Sequence, residues 1–277
     1  MKDDPLRPPP PNSPIAEAFL KRFGLVRPKD PDSAFLEKLA RAFARLPYEN
    51  LTKILKLTYE GNPERARRNP PEVLADHFRY GAGGTCFSLT ALLLHIVRAL
   101  GYEAEPVLAD RHYGPNTHCA LIVNLNGSPH LLDPGYLLFK PVPIQTERTV
   151  QVETDFNRVI LLPEANDRLS LLTEQNSVRT KRLTFKLPGA DPGEFIKAWH
   201  DSFYWDMMRY PILTCVRDGK QIYLRKIYYQ ERDREGIQRL NLPTEQLLEE
   251  IHKRFGINPK LAAKALEAIM RREKIDE

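Results

Sequence analysis

Residues 81–100 have the sequence GAGGTCFSLTALLLHIVRAL, in which a glycine-rich loop runs directly into an apolar segment. From Cys86 onward, apolar side chains cover most of the circumference of a helix, and Gly101 is a typical helix stop. The apolar positions are Leu89, Leu92, Leu93, Ile96, Val97 and Leu100. This pattern predicts a helix inside the protein, with Cys86 in its first turn and a loop that other groups can approach closely.

The region before this loop is predicted to be helical. Apolar residues recur at helical spacing over 15–23, before Gly24, and again over 35–46, between the start signal at 30–33 and Pro47. These two helices are expected to pack together. Residues 5–14 contain six prolines, which favour an extended conformation and predict a flexible arm.

The region after Gly101 changes to short strand-like runs separated by turn residues. The runs cover 104–109, 119–125, 130–132, 158–162, 169–173, 183–187, 213–217 and 221–228. Asn126-Gly127 and Asp218-Gly219 are predicted hairpin turns. Helical patterns return at 192–205, 244–255 and 259 to about 274. An α-helical first third, a β middle and an α/β last third therefore make an α+β fold, with an antiparallel sheet or barrel at its centre.

Composition excludes several classes of function. The chain has 277 residues and a net charge of +5, but its basic residues are interleaved with acidic ones, which favours a mixed surface over a nucleic-acid site. No run approaches the ~18 apolar residues of a membrane span, and the N-terminus lacks a secretion signal, so we expect a cytoplasmic protein. The three cysteines form no CxxC pair, so neither a disulfide framework nor a metal site is predicted.

Three residues are predicted to form a catalytic triad. A cysteine at a helix N-terminus is favoured as the thiolate, because the dipole and free N–H groups stabilise the anion. His118 begins one predicted strand and Asp133 ends the next, with the Asn126-Gly127 turn between them, so they become cross-strand neighbours. We therefore expect Cys86 as the nucleophile, His118 as its base and Asp133 as the orienting acid. Cys119 is expected to point away from His118 and, like Cys215, to be a core thiol.

Several segments resemble the arylamine N-acetyltransferases. FLKRFGL at 19–25 is similar to that family's opening helix, and LPYENL at 46–51 to its Pro-Phe-Glu-Asn signature. GGTCF at 83–87 resembles the nucleophile motif Arg-Gly-Gly-aromatic-Cys, and LDPGY at 132–136 the Asp-Val-Gly-Phe-Gly segment. The fifteen-residue step from His118 to Asp133 and the segment 240–257 also resemble the family. The resemblance spans about residues 15 to 257.

The resemblance implies both a fold and an activity. It implies a proline-rich arm over 1–14, a helical bundle over 15–102, a β-barrel over 103–190 and an α/β lid over 191–277. It implies a ping-pong transfer of an acyl group, by default acetyl, from a coenzyme A thioester to a small-molecule amine. Tyr136 would lie at the substrate passage. No bound cofactor, nucleic-acid partner or membrane contact is expected.

Four positions depart from the family pattern. Ala82 stands for the motif arginine, Ser88 and Thr90 replace a glutamate and an asparagine, and Leu137 replaces a glycine. These changes affect the expected substrate more than the nucleophile, and Leu137 should narrow the passage beyond Tyr136. The same Cys/His/Asp order also resembles the transglutaminase-like superfamily, where the triad acts on peptide or protein amides. That alternative stays open at the level of sequence.

Overall fold

The computed structural model describes residues 4–175 and 177–276. Its first part consists of six helices with one short strand among them, as the helical spacing at both ends of this region predicts. They are α1 (Pro14–Phe23), α2 (Ser33–Phe43), β1 (Tyr48–Glu49), α3 (Leu51–Glu60), α4 (Pro63–Ala66), α5 (Pro70–Tyr80) and α6 (Cys86–Ala99). Of the fourteen residues of α6, all except His95 and Arg98 are buried, so this helix is the axis of the main core, as predicted.

The proline-rich arm lies against this bundle over residues 4–13. The Leu6 side chain is buried, and Arg98 of α6 donates a hydrogen bond to the Leu6 carbonyl at 2.8 Å. The hydroxyl of Ser13 lies 2.6 Å from Nε2 of His95, also on α6. These contacts supply partners for a segment that cannot form regular hydrogen-bonded structure of its own.

The middle of the chain forms an eight-stranded, nearly closed antiparallel barrel, which confirms the predicted β domain. Its strands are β2 (Glu103–Arg111), β3 (Gly114–Leu125), β4 (Ser128–Asp133), β5 (Leu138–Pro143), β6 (Val150–Glu153), β7 (Arg158–Glu164), β8 (Arg168–Gln175) and β9 (Val178–Lys186). Their order is β5-β4-β3-β2-β9-β8-β7-β6. A second apolar cluster, including Val107, Leu131 and Phe185, fills its interior.

The last part contains α7 (Pro192–Asp201), 3₁₀ turns at Ser202–Tyr204, Asp206–Arg209 and Thr244–Gln246, α8 (Leu247–Phe255) and α9 (Pro259–Asp276). Its strands are β10 (Ile212–Arg217), β11 (Lys220–Arg225), β12 (Tyr228–Arg232) and β13 (Ile237–Asn241). They form a five-stranded sheet in which β1 of the first part is an edge strand beside β10. The first and last parts of the chain are therefore joined by main-chain hydrogen bonds.

Both predicted hairpin turns are present. Asn126 and Gly127 have φ of 52° and 79°, and Asp218 and Gly219 have φ of 52° and 73°, as a two-residue hairpin loop requires. The prediction of one strand over 221–228 is wrong, because the chain turns at Lys226, with φ of 56°, and continues as β12. In the part of the chain that the structure describes, no helix has both the length and the apolar character needed to cross a bilayer.

Candidate active site

Two of the sequence motifs meet in a short parallel bridge that sets the position of the nucleophile loop. The amide of Glu49 donates to the carbonyl of Gly84 at 2.9 Å, and the amide of Gly84 donates to the carbonyl of Pro47 at 3.3 Å. A methyl group on Gly83 would lie 1.8 Å from the Pro47 oxygen, so only glycine fits there. The glycines before Cys86 therefore allow the backbone of this loop to lie directly against the backbone of residues 46–51.

The polar side chains of that segment, Glu49 and Asn50, are buried and hydrogen-bonded. The carboxylate of Glu49 accepts hydrogen bonds from the amide and hydroxyl of Thr52, at 2.9 and 2.5 Å. The side chain of Asn50 donates to the carbonyls of Met207 and Tyr210 and accepts from the amide of Ile212. Asn50 thus ties the third part of the fold to the strand that holds the nucleophile loop.

Arg68 contacts the glycine loop that precedes Cys86. Its guanidinium is buried between α4 and α5, donates to the carbonyl of Gly83 at 2.6 Å, and pairs with Asp76 at 2.7 Å. The Glu49 carboxylate lies 3.8 Å away. A cation from a different part of the chain therefore stabilises the loop before Cys86. No local sequence motif could have indicated this contact.

The three residues of the predicted triad lie together in the interior. Cys86 is the first residue of α6, and no side chain caps this helix start. Nε2 of His118 on β3 lies 2.7 Å from Oδ2 of Asp133 at the end of β4, and both side chains are fully buried. Cys86 lies within hydrogen-bonding reach of the His118 imidazole. The cross-strand contact of His118 with Asp133 confirms the predicted register.

The surroundings of Cys86 favour its thiolate. The pKa of its thiol lies well below its ordinary value, because hydrogen bonds from Cys119 and then from His118 outweigh the opposing effect of burial. Burial and the neighbouring Cys86 raise the pKa of Cys119 well above its ordinary value, so Cys119 stays protonated. Cys119 is buried as expected, but its contact with Cys86 was not anticipated.

The side chain of Cys119 is also held by the turn of α6 that follows Cys86. Its Sγ lies 3.6 Å from the hydroxyl of Thr90, which in turn is 3.5 Å from the Cys119 carbonyl. Thr90 stands four residues after Cys86, so both side chains lie on the same face of α6. Thr90, one of the departures from the family pattern, therefore helps to position the second thiol.

His118 is held between opposite charges. Burial lowers the pKa of His118, but the charge and hydrogen bond of Asp133 outweigh it and raise the pKa above its ordinary value. On the other ring nitrogen, Nη2 of Arg111 lies 3.0 Å from Nδ1. When the ring is neutral, Nε2–H donates to Asp133 and Nδ1 accepts from Arg111; when the ring is protonated beside the Cys86 thiolate, both nitrogens carry a proton. Arg111 is a functional candidate that sequence reasoning missed.

A cavity of about 820 Å³ opens beside the triad between the barrel and the five-stranded sheet. Gly135 lies at its inner wall, where an added methyl group would be 2.7 Å from Cβ of Cys86 and 2.9 Å from Cε1 of His118. Five tyrosines and three arginines contribute to the lining: Tyr48, Tyr113, Tyr136, Tyr210, Tyr223, Arg111, Arg225 and Arg232. The cavity therefore reaches Gly135, the residue that separates it from Cys86 and His118.

Tyr136 and Leu137 line this cavity. The amide of Tyr136 donates to Oδ1 of Asp133 at 2.8 Å, and its ring meets the His118 imidazole edge to face. Leu137 lines the cavity with φ of 63°, a left-handed conformation that glycine adopts at no steric cost. Leucine therefore occupies a backbone position suited to glycine.

Lys53 is a further buried polar residue that the sequence did not indicate. Its Nζ donates to the carbonyl and hydroxyl of Ser202, at 2.8 and 2.5 Å, and lies 4.3 Å from the ring centroid of Phe203. Burial lowers the pKa of Lys53 to about 7. Among the described residues, no cluster of His, Cys, Asp and Glu could hold a metal ion.

Comparisons with known proteins agree with this geometry. A family model described as N-acetyltransferase matches residues 33–264. The structure is similar to the arylamine N-acetyltransferase of Salmonella typhimurium, with a TM-score of 0.76 and 18% identity over 92% of this chain and 99% of that one. The Mycobacterium abscessus enzyme gives 0.78 and 19%, over 92% and 94%. No curated protein matches the chain by sequence at a significant level.

A third similar structure bears on the triad. It is the arylamine N-acetyltransferase of Bacillus cereus, described as having a unique Cys-His-Glu catalytic triad, with a TM-score of 0.71 and 15% identity over 89% of this chain and 99% of that one. The likeness to these three structures establishes the fold, and the family model covers most of the sequence. The chain therefore belongs to the arylamine N-acetyltransferase family.

Proposed function

We propose that Cys86 takes an acyl group from a coenzyme A thioester and passes it to an aromatic amine by a ping-pong mechanism. The observation that carries this proposal is the buried His118–Asp133 pair with Cys86 beside it, the side chains of Cys86 and His118 both meeting Gly135 at the inner wall of the cavity. The family supplies the reaction class, acetyl transfer to arylamines.

In the first half-reaction the Cys86 thiolate attacks the thioester carbonyl. The carbon–sulfur bond to coenzyme A breaks, the acyl group stays on Cys86, and the departing thiolate takes the proton from His118. The uncapped N-terminus of α6 directs backbone N–H groups toward the developing oxyanion. Asp133 holds the imidazole in place and stabilises its protonated form.

In the second half-reaction the amine attacks the acyl carbon on Cys86. His118, now neutral, accepts the proton that the amine loses, and the carbon–sulfur bond breaks to release the amide and restore the thiolate. The tyrosines around the cavity support an aromatic acceptor, because rings stack or meet edge to face at low cost in side-chain entropy. Residues Tyr136 and Tyr48 are the proposed nearest contacts.

The transglutaminase-like alternative would use the same three residues on a peptide amide. The family match over 33–264 favours acyl transfer from a thioester. The two hypotheses differ in the first product, since a peptide amide would release ammonia or a cleaved chain, whereas a thioester releases free coenzyme A.

Initial-rate kinetics with acetyl-CoA and 4-methoxyaniline test this proposal. A ping-pong enzyme gives parallel double-reciprocal lines, and Cys86→Ala should lose turnover by about 10³ or more because the covalent nucleophile is gone. Cys215→Ala is the matched control, since burial raises the pKa of Cys215 to about 12 and keeps it unreactive. Intersecting lines, or a Cys86→Ala protein with parental turnover, would contradict the mechanism.

A further inference from the structure

Arg111 is placed unusually for a buried cation. It ends β2 at a point where the pairing with β3 shifts register, and such a bulge turns a side chain out of the regular alternation. The guanidinium reaches His118 at 3.0 Å and lines the cavity. Among the described carboxylates, none forms an ion pair with Arg111, and its Nε is buried without a hydrogen-bond partner.

Arg232 faces the same cavity from the five-stranded sheet and also has an N–H group without a hydrogen-bond partner. Its Nε is also buried without a partner, and no described carboxylate pairs with it. In the described residues only four buried side-chain atoms lack a partner: Arg68 Nε, Arg111 Nε, Arg232 Nε and Asn124 Oδ1. Two of the four are therefore guanidinium groups on the walls of one cavity.

Tyr136 lines the same cavity, and its phenol is near both cations. Burial raises its pKa, against the opposing effect of three nearby guanidiniums, those of Arg182, Arg111 and Arg232. Buried charge without a partner is costly to the fold. The fold therefore leaves the buried Nε atoms of Arg111 and Arg232 without a hydrogen-bond partner at the wall of one cavity.

The other charged residues of the cavity have partners. Asp201 pairs with Lys197 at 2.7 Å, and Asp206 lies 4.0 Å from Arg209; both carboxylates are exposed. Arg225, the third arginine of the lining, donates to the hydroxyl of Tyr210 at 2.9 Å. Only Arg111 and Arg232 thus combine a cavity position with a buried, unused N–H group.

We propose that Arg111 and Arg232 form a subsite for a carboxylate, so that this enzyme selects a substrate with an acidic group. A guanidinium fork matches a carboxylate in shape and charge, and a desolvated pair of this kind is strong. The inference rests on the proposed function and adds the substrate class. Because Arg111 touches His118, the carboxylate belongs to the acyl group or to the acceptor. The phosphates of coenzyme A lie a full pantetheine arm away from the thioester.

Protection of Cys86 against alkylation tests the subsite without turnover. Iodoacetamide labelling of Cys86 is followed by peptide mapping in the presence of 4-nitrobenzoate or its neutral isostere 4-nitrobenzamide. The acid should protect at a concentration about tenfold lower than the amide. Arg111→Met should abolish this preference, Arg111→Lys should retain part of it, and Arg232→Met should weaken it. Arg158→Met, at an exposed arginine paired with Glu153 and Glu174 on the barrel surface, is the control.

Two kinetic comparisons then locate the carboxylate. If it belongs to the acyl group, succinyl-CoA should acylate Cys86 at least tenfold faster than butyryl-CoA; if it belongs to the acceptor, 4-aminobenzoate should be acylated at least tenfold faster than 4-aminobenzamide. Equal protection by acid and amide in the parent protein overturns the proposal, even if no variant folds. So does acid protection with no acid preference in either kinetic comparison. Absence of acylation by every thioester would overturn the proposed function instead, while the protection assay would still decide the subsite.

Discussion

Gly135→Ala is predicted to impair catalysis strongly while leaving the fold intact. The added methyl carbon would lie 2.7 Å from Cβ of Cys86 and 2.9 Å from Cε1 of His118. Carbon atoms in contact prefer about 3.5–4.0 Å, so the triad must open by close to 1 Å. Cys86 is fixed by α6, and His118 by its bond to Asp133, so neither can yield without disturbing the other.

The magnitude follows from this geometry. Overpacking of a buried site costs about 1–3 kcal/mol, which a domain of this size tolerates. A displacement of reacting groups by about 1 Å costs on the order of 10² in rate. We therefore expect kcat/KM to fall about a hundredfold, with a fall in kcat. The backbone of Gly135 does not lie in the left-handed region, so alanine adds volume there without backbone strain.

The assay is steady-state kinetics alongside thermal unfolding, with Gly236→Ala as the matched control. Gly236 also lies outside the left-handed region, and a methyl group there would meet no atom within 4 Å. The control should keep both parental stability and parental kcat/KM. A Gly135→Ala enzyme with parental kcat/KM would refute the placement of Cys86 and His118 against this glycine.

Three further perturbations have defined outcomes. Leu137→Gly should increase acetyl-CoA-dependent acetylation of simple anilines, because the cavity widens and a left-handed leucine, which costs about 1–2 kcal/mol, is removed; unchanged kcat/KM would mean that Leu137 does not limit access. Cys119→Ala should slow iodoacetamide labelling of Cys86 at pH 6, because the neighbouring Cys119 thiol lowers the Cys86 pKa; an unchanged rate would show that Cys119 is only a packing residue. Because Lys53 has a folded pKa of about 7 against 10.5, the unfolded state binds more protons and stability should rise by up to about 2 kcal/mol from pH 7 to pH 9. The nearby aromatic faces, which favour the cation, reduce this gain. In denaturant unfolding, Lys53→Met should not show this increase in the free energy of unfolding between pH 7 and pH 9. The same increase in the variant would mean that another group causes it.

The local signals in the sequence predicted the barrel and the contact between His118 and Asp133. Asn126-Gly127 is a strong hairpin turn, and once its position is known the antiparallel register carries His118 to Asp133 without further information. The apolar run after Cys86 likewise predicted a buried helix that ends before Gly101. These features depend on neighbours in sequence or across one turn.

Other features depend on partners that are distant in sequence. Arg68 reaches the loop before Cys86 from the connection between α4 and α5, and Lys53 finds its acceptors at Ser202, 149 residues away. Helices α3, α4 and α5 were not predicted. Helices α4 and α5 each begin at a proline, which interrupts the apolar periodicity although it is well suited to a first helical position. No pattern in a single sequence reports such contacts.

The contact between Cys119 and Cys86 shows a different limit. Side chains alternate along β3, so Cys119 points away from the barrel interior, as predicted. The face of β3 to which it points is covered by α6. Strand periodicity gives the side on which a residue lies and does not identify what covers that side. The second thiol of the site could therefore be found only in the folded structure.

The central claim is that Cys86 carries the acyl group between two substrates. Intact-protein mass spectrometry after brief mixing with acetyl-CoA, followed by peptide mapping, tests it most directly. The account predicts one acetyl group, on Cys86, which disappears when 4-methoxyaniline is added and is absent from Cys86→Ala. Turnover without any acylated enzyme, or an acetyl group that the amine does not remove, would contradict it.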